Sequence, residues 1–185
     1  MKKLFVIGTL LFNLSFKAQL DVAGVKVPLV FKSEESALIL NGAGVREKYF
    51  MDLYVGALYL KNKSTDAQRA MDADESMCVK LHIVSGMITS EKMTTSVDEG
   101  FKKSAKSNLA ALQSRIDLFK AVFATKINKG DVYDLVYDKS KGTLIYKNGK
   151  LAASIPGLDF KKALFGIWLC NEPADEGLKK KMLGN

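Results

Sequence analysis

The chain has one histidine, His82, two cysteines, three prolines, and only three arginines among its 28 basic residues. A single histidine removes multi-histidine metal sites and forces any histidine-based nucleophilic dyad to be built around position 82. The thiol on the same face of its strand pattern, Cys78, is four residues away, about 13 Å at roughly 3.3 Å per residue. That is too far for a nucleophile and its base. Two cysteines in 185 residues exclude a disulfide-dense miniprotein, and the lack of any low-complexity tract excludes disorder and collagen. No linker interrupts the chain, so a single domain is expected over residues 19–185.

Long apolar runs are also missing from the amino end. Lys2 and Lys3 precede a short apolar stretch from Leu4 to Phe12, and the following residues carry no acid before the small residue Ala18. This is the layout of a secretory signal over residues 1–18, and the run is well short of the roughly 18 residues a spanning helix needs. The expected protein is therefore exported, periplasmic or secreted, with no stable membrane anchor. Cleavage after Ala18 removes Lys2, Lys3 and Lys17 and lowers the formal charge from +8 to +5. The remaining lysine clusters, Lys102–Lys103 and Lys179–Lys181, fall on helical, solvent-facing patterns. They read as solvated faces, and no nucleic-acid partner is expected. Cys78 and Cys170 are expected to pack as small apolar residues, a disulfide between them being the alternative after export.

Gly42–Ala43–Gly44 suggests a phosphate loop, but Glu47 stands where a dinucleotide fingerprint needs its third glycine, and a strand pattern follows where a helix is required. Neither Asp134 with Asp138 nor the Asp72, Asp74 and Glu75 group has calcium-loop spacing, so solvated carboxylates are expected. No metal or cofactor is called for.

Periodicity supplies the architecture. Val22–Phe31, Ala37–Asn41 and Tyr49–Leu60 read as strands, and Met77, Val79, Leu81 and Ile83 alternate along another. Ser64–Asp74 reads as a brief helix capped by Ser64 or Thr65. Met93, Val97 and Phe101 mark a helix from near Ser90; Leu109, Leu112, Ile116, Phe119, Phe123 and Ile127 mark another. Tyr133, Leu135 and Tyr137 alternate on a strand that opens a meander, and Asn148–Gly149 supplies a two-residue hairpin. Asp159 is expected to cap a helix striped by Phe160, Ala163, Leu164, Ile167 and Trp168, and a final helix is expected from Pro173. Strands at both ends with helices grouped between and after them predict an α+β fold, a largely antiparallel sheet backed by helices.

Arg46 is the candidate functional residue. It follows the glycines in a chain that otherwise uses lysine, and its planar fork of donors can grip a carboxylate or phenolate while partly buried. An ordinary ion pair to Glu47, Asp52 or a helix acid is the alternative.

Five motifs in order extend the reading: Gly42-Ala-Gly-Val-Arg46, Tyr54-Val-Gly-Ala-Leu-Tyr59-Leu60, Ser90-Glu91-Lys92, Phe165-Gly-Ile-Trp168 and Pro173-Ala-Asp-Glu-Gly-Leu178. With them the chain resembles the exported bacterial branch of the chalcone isomerase-like proteins. The resemblance implies an open-faced antiparallel sheet and helix layer with a ligand cleft between them. It implies either chalcone cyclisation, as an isomerase, or binding of a fatty acid. The family arginine falls on Arg46, the residue that would act in catalysis if the protein is an enzyme, and the family threonine on Tyr54. Thr89 replaces the catalytic tyrosine and Ser96 the asparagine, so a threonine hydroxyl stands where a longer group orders water. Arg46, Tyr54, Thr89 and Ser96 are thus the expected ligand-binding residues. A small apolar acid or phenolic molecule is the expected partner, isomerase activity and a non-catalytic interaction module being the alternatives. On one straight strand Arg46 and Tyr54 would lie about 26 Å apart, so they share a site only if the chain turns between them, as it could around Glu47–Lys48.

Overall fold

The computed structural model describes residues 18–33 and 37–185; the amino-terminal signal expectation lies outside the described residues. Seven antiparallel strands form one sheet in strict sequence order: β3 (Val30–Lys32), β4 (Ala37–Lys48), β5 (Met51–Leu60), β6 (Met77–Ile83), β7 (Val132–Asp138), β8 (Gly142–Lys147) and β9 (Lys150–Ile155). Helix α1 (Ala67–Asp72) connects β5 to β6, while α2 (Ser90–Ala105) and α3 (Leu109–Ala121) connect β6 to β7. Helices α4 (Leu158–Leu169) and α5 (Glu176–Met182) follow the last strand. A separate ribbon of β1 (Gln19–Val22) and β2 (Val25–Pro28) packs Val27 onto the other face of the sheet, beside Val55, Tyr59 and Cys78. The fold is the α+β arrangement that the pattern predicts.

Strand alternation separates two cores. On β6, Met77, Val79, Leu81 and Ile83 face the helices, while Cys78, Lys80 and His82 face the other way. Cys78 belongs to the outer core and Cys170 packs beside the helix core; both thiols are free. The Lys80 ammonium pairs with Asp134 across β6 and β7 and lies 5.4 Å from the Phe31 ring centroid, so Asp134 is partnered and not merely solvated. Asp138 is buried, and its carboxylate accepts from the backbone N–H groups of Ser140 and Lys141 to close the β7–β8 turn. Asp72 and Asp74 pair with Lys162 and Lys139.

The glycines after Asn41 serve helix docking. A Cβ at Gly42 would sit 2.1 Å from the Lys181 carbonyl oxygen, and one at Gly44 would sit 2.7 Å from Lys181 Cβ. Gly56, opposite Gly44, faces Leu178. These positions form a bare track on which α5 lies against the sheet. Asn41 fixes its end: the side-chain amide donates to the carbonyls of Met182 and Ser64 and accepts from Ser64 N–H.

Several boundaries move. The Val22–Phe31 stretch is not one strand, because the chain reverses at Ala23–Gly24, both at positive φ, and is broken again at Leu29. Asp66, not Ser64 or Thr65, caps α1 by accepting from Arg69 N–H. Helix α3 stops at Ala121, yet Phe123 and Ile127 remain buried beyond it, since the same apolar demand is met by irregular chain. Gly157 occupies the cap position of α4 with Asp159 inside its first turn. Asp159 is held by a two-pronged contact from Arg115 at 2.6 and 2.7 Å. Helix α5 starts at Glu176, capped by Asp175, three residues later than Pro173 suggests.

Candidate functional site

The turn between β4 and β5 decides the site. It falls at Tyr49–Phe50, two residues beyond the Glu47–Lys48 position considered from the sequence, and it sets Arg46 directly opposite Tyr54. Cross-strand matching of Gly44 with Gly56 and Val45 with Val55 fixes this register against the turn preferences of the residues involved. A register irregularity follows Arg46, so Glu47 pairs with Asp52 and Leu53 is the extra residue. Such a bulge re-aims side chains, and here Leu53 and Tyr54, neighbours in sequence, both line the same cleft.

The cleft lies between β4–β6 and the helices and has a volume of about 530 Å³. That is within the range of small-molecule sites, roughly 300–1,000 Å³. Its inner wall is apolar: Leu81, Phe119, Phe123, Ile167 and the ring of Trp168. Phe119 and Phe123 meet edge to face with centroids 5.3 Å apart, giving that wall a fixed shape.

A short polar chain enters from one side. Trp168 Nε1–H donates to the Tyr54 hydroxyl at 2.9 Å, and an Arg46 terminal N–H donates to the same oxygen at 3.4 Å. Arg46 Cζ lies 5.8 Å from the Tyr54 ring centroid. A phenolic oxygen has two acceptor sites and one proton. With both acceptor sites occupied, the Tyr54 proton is the part of that hydroxyl left to donate. Arg46 is half-buried, its Nε–H is enclosed without a partner, and among the described residues no carboxylate pairs with it. The ordinary ion pair to Glu47, Asp52 or a helix acid is absent among them.

All four residues singled out from the sequence, Arg46, Tyr54, Thr89 and Ser96, line this cleft. Their standing differs. Thr89 is the cap of α2, its hydroxyl oxygen accepting Lys92 N–H at 3.2 Å, which ties one of its two acceptor sites to the helix end. Ser96 is half-buried on the cleft face of α2, one turn beyond Lys92. Trp168 is the partner that sequence reasoning did not place in the site; the signal was there, as the one residue of the α4 stripe that carries a polar atom.

His82 lies on the opposite face of the sheet, paired with Val55 and Val132, and burial holds its imidazole below the usual histidine range. It takes no part in the cleft. No group of histidine, cysteine and acidic side chains able to hold a metal occurs among the described residues.

The sequence matches the chalcone isomerase-like family over residues 18–184. The chain belongs to this family. In this chalcone isomerase-like protein the fold also resembles the crystal structure of an Arabidopsis thaliana fatty-acid binding protein, with a TM-score of 0.67 and 22% sequence identity. That similarity covers 86% of this chain and 92% of the plant chain. No curated protein matches the sequence.

Proposed function

We propose that this protein binds a small apolar molecule with one acidic head, a fatty or phenolic acid, in the cleft between sheet and helices. The observation that carries the reading is the polar pair at the cleft wall. Arg46 has an enclosed, unpartnered Nε–H and no carboxylate of the described residues beside it, and Tyr54 has a proton to give. Both residues line the cleft, so a guanidinium and a phenolic proton stand at the same wall, a pairing suited to an anionic oxygen. The aromatic and aliphatic wall of Phe119, Phe123, Leu81 and Ile167 then takes the apolar body. The ligand class of the Arabidopsis neighbour supports the same reading.

Ring closure of a chalcone is the less favoured chemistry. Thr89 holds the end of α2 with its hydroxyl oxygen and has no reach toward the centre of the cleft comparable to a tyrosine. Native mass spectrometry of gently purified protein is expected to show a bound acid, or uptake of an added one. Arg46→Ala should weaken binding by about 1.5–3 kcal/mol, roughly 10- to 150-fold, if the contact is charge-assisted. An empty protein that takes up neither fatty nor phenolic acid would refute the proposal, and chalcone turnover that disappears in Arg46→Ala would replace it with catalysis. Export is proposed on the sequence of residues 1–18, with the family match beginning at residue 18 as support. A mature chain still starting at Met1 in the producing cell would oppose it.

A further inference from the structure

Among the described residues three hairpins are joined by two-residue turns, at Ala23–Gly24, Tyr49–Phe50 and Asn148–Gly149, and they differ in how well their residues suit the backbone. Asn148–Gly149, with φ of 51° and 76°, joins β8 to β9 using the pair such a turn favours. Tyr49–Phe50, with φ of 52° and 62°, places two bulky aromatics in the same left-handed region, where Cβ crowds the following carbonyl. The packing gained in return is small: Phe50 is fully exposed, and Tyr49, 79% exposed, has the Lys48 ammonium over its ring. Met87, half-exposed on the loop before α2, shares the cleft mouth with Tyr49. Strained backbone that holds apolar groups outward at a ligand entrance points to an outside surface that takes them up.

We propose that Tyr49, Phe50 and Met87 form a lip that inserts into the interfacial layer of a lipid bilayer, seating the cleft mouth on the membrane so that an apolar acid passes between the two. Docking rests on the lip itself; the passage of ligand rests on the function proposed above. The occupant follows from size and charge. Aromatic side chains bury about 150–250 Å² each, so two rings, one of them 79% exposed, and a half-exposed methionine offer roughly 350–550 Å². A standard protein interface needs about 800 Å² per partner, which a convex turn of this size does not reach. A bilayer needs no matching surface and accepts tyrosine at headgroup depth with phenylalanine beyond it. Arg46, Lys48, whose Nζ lies 5.6 Å from the Tyr49 ring centroid, and Lys92 are offset by Glu91 and Glu99 at the cleft and by Glu47 and Asp52 on the strands beside the turn. The lip is therefore suited to neutral lipid and does not require an anionic one.

The test uses the full chain and phosphatidylcholine vesicles. Phe50→Trp should give an indole whose emission shifts to the blue on adding vesicles and is quenched by doxyl-labelled acyl chains, the signal of Trp168 being subtracted with the parent protein under the same vesicles. An indole at position 50 that stays water-like and unquenched overturns the proposal. Tyr49→Asn combined with Phe50→Gly restores the favoured turn chemistry, so this variant should melt no lower than the parent while its partition into vesicles falls at least about tenfold. Unchanged partition overturns the lip. So does binding that appears only with phosphatidylglycerol and vanishes in high salt, which would assign it to the lysine surface. Uptake of a fatty acid by the same variant without vesicles separates the two claims. Retained uptake with lost docking supports the lip, whereas a wild-type protein that docks but takes up no acid removes the ligand reading and leaves the docking result standing.

Discussion

Tyr54→Phe removes one oxygen from the centre of the polar chain and leaves the ring in place. Two donors then lose their acceptor. Trp168 Nε1–H, buried and only 2.9 Å from the hydroxyl, becomes an enclosed donor with no partner, which costs about 1–3 kcal/mol. The Arg46 contact at 3.4 Å is longer and half-buried and adds little to stability. The expected loss is about 1.5–2.5 kcal/mol, which at this chain length lowers the melting temperature by about 2–4 °C per kcal/mol, roughly 3–10 °C in all. Calorimetry or urea unfolding measures the loss directly. Trp168 is the only tryptophan, so its emission reports the changed environment of the indole without interference. Combining Tyr54→Phe with Trp168→Phe should show coupling, the double variant being less destabilised than the sum of the singles. Ligand binding by Tyr54→Phe should fall about tenfold, because the phenolic proton is the donor left for the head group. A variant as stable as the parent, with no coupling, would refute the hydrogen-bond geometry on which the site is built.

Lys161 is fully buried on α4, and its ammonium donates at 2.8 Å to the carbonyls of Ala70, Met71 and Ala73, closing the end of α1. Lys161→Met should cost about 2 kcal/mol or more at pH 7 in chemical denaturation by orphaning those acceptors. Burial also pulls this amine down to about 8 from its ordinary 10.5. Between those values the folded protein holds fewer protons than the unfolded chain, so this residue makes stability rise with pH there. The parent-minus-variant difference should therefore widen from about pH 8 to pH 10; parallel stability curves would contradict it. Gly42→Ala drives a Cβ to 2.1 Å from a backbone oxygen that cannot rotate away, and should cost about 3 kcal/mol or more. Hydrogen exchange should then show the amides of α5 opening first, and unchanged protection there would refute the docking role of the glycine track.

Much of the architecture is legible because it depends on local period. The alternation at Met77–Ile83 and the three-to-four spacing from Leu109 to Phe119 each name the residues that face the helix core. The Asn148–Gly149 hairpin follows from the residues that tolerate positive φ. The Tyr49–Phe50 turn is invisible to the same reasoning, since its residues resist the conformation they adopt and the register shows only in the pairing of Gly44 with Gly56 and Val45 with Val55. That one turn hides the closeness of Arg46 and Tyr54. Arg46 itself is legible from its residue type, but the bond from Trp168 to Tyr54 is a tertiary contact across 114 positions that no spacing rule reaches. Lys161 is hidden for a related reason, because its acceptors belong to a helix some 90 residues earlier.

The Asn41 to Met182 contact spans 141 positions, and this also dictates when the molecule can be finished. The track at Gly42, Gly44 and Gly56 leaves the ribosome long before Leu178 and Met182 arrive to cover it. Until then the nascent sheet carries an open seat, and long-range closures of this kind set a slow tempo. A chain halted in synthesis just short of its last helix should remain open to proteases, however complete its strands.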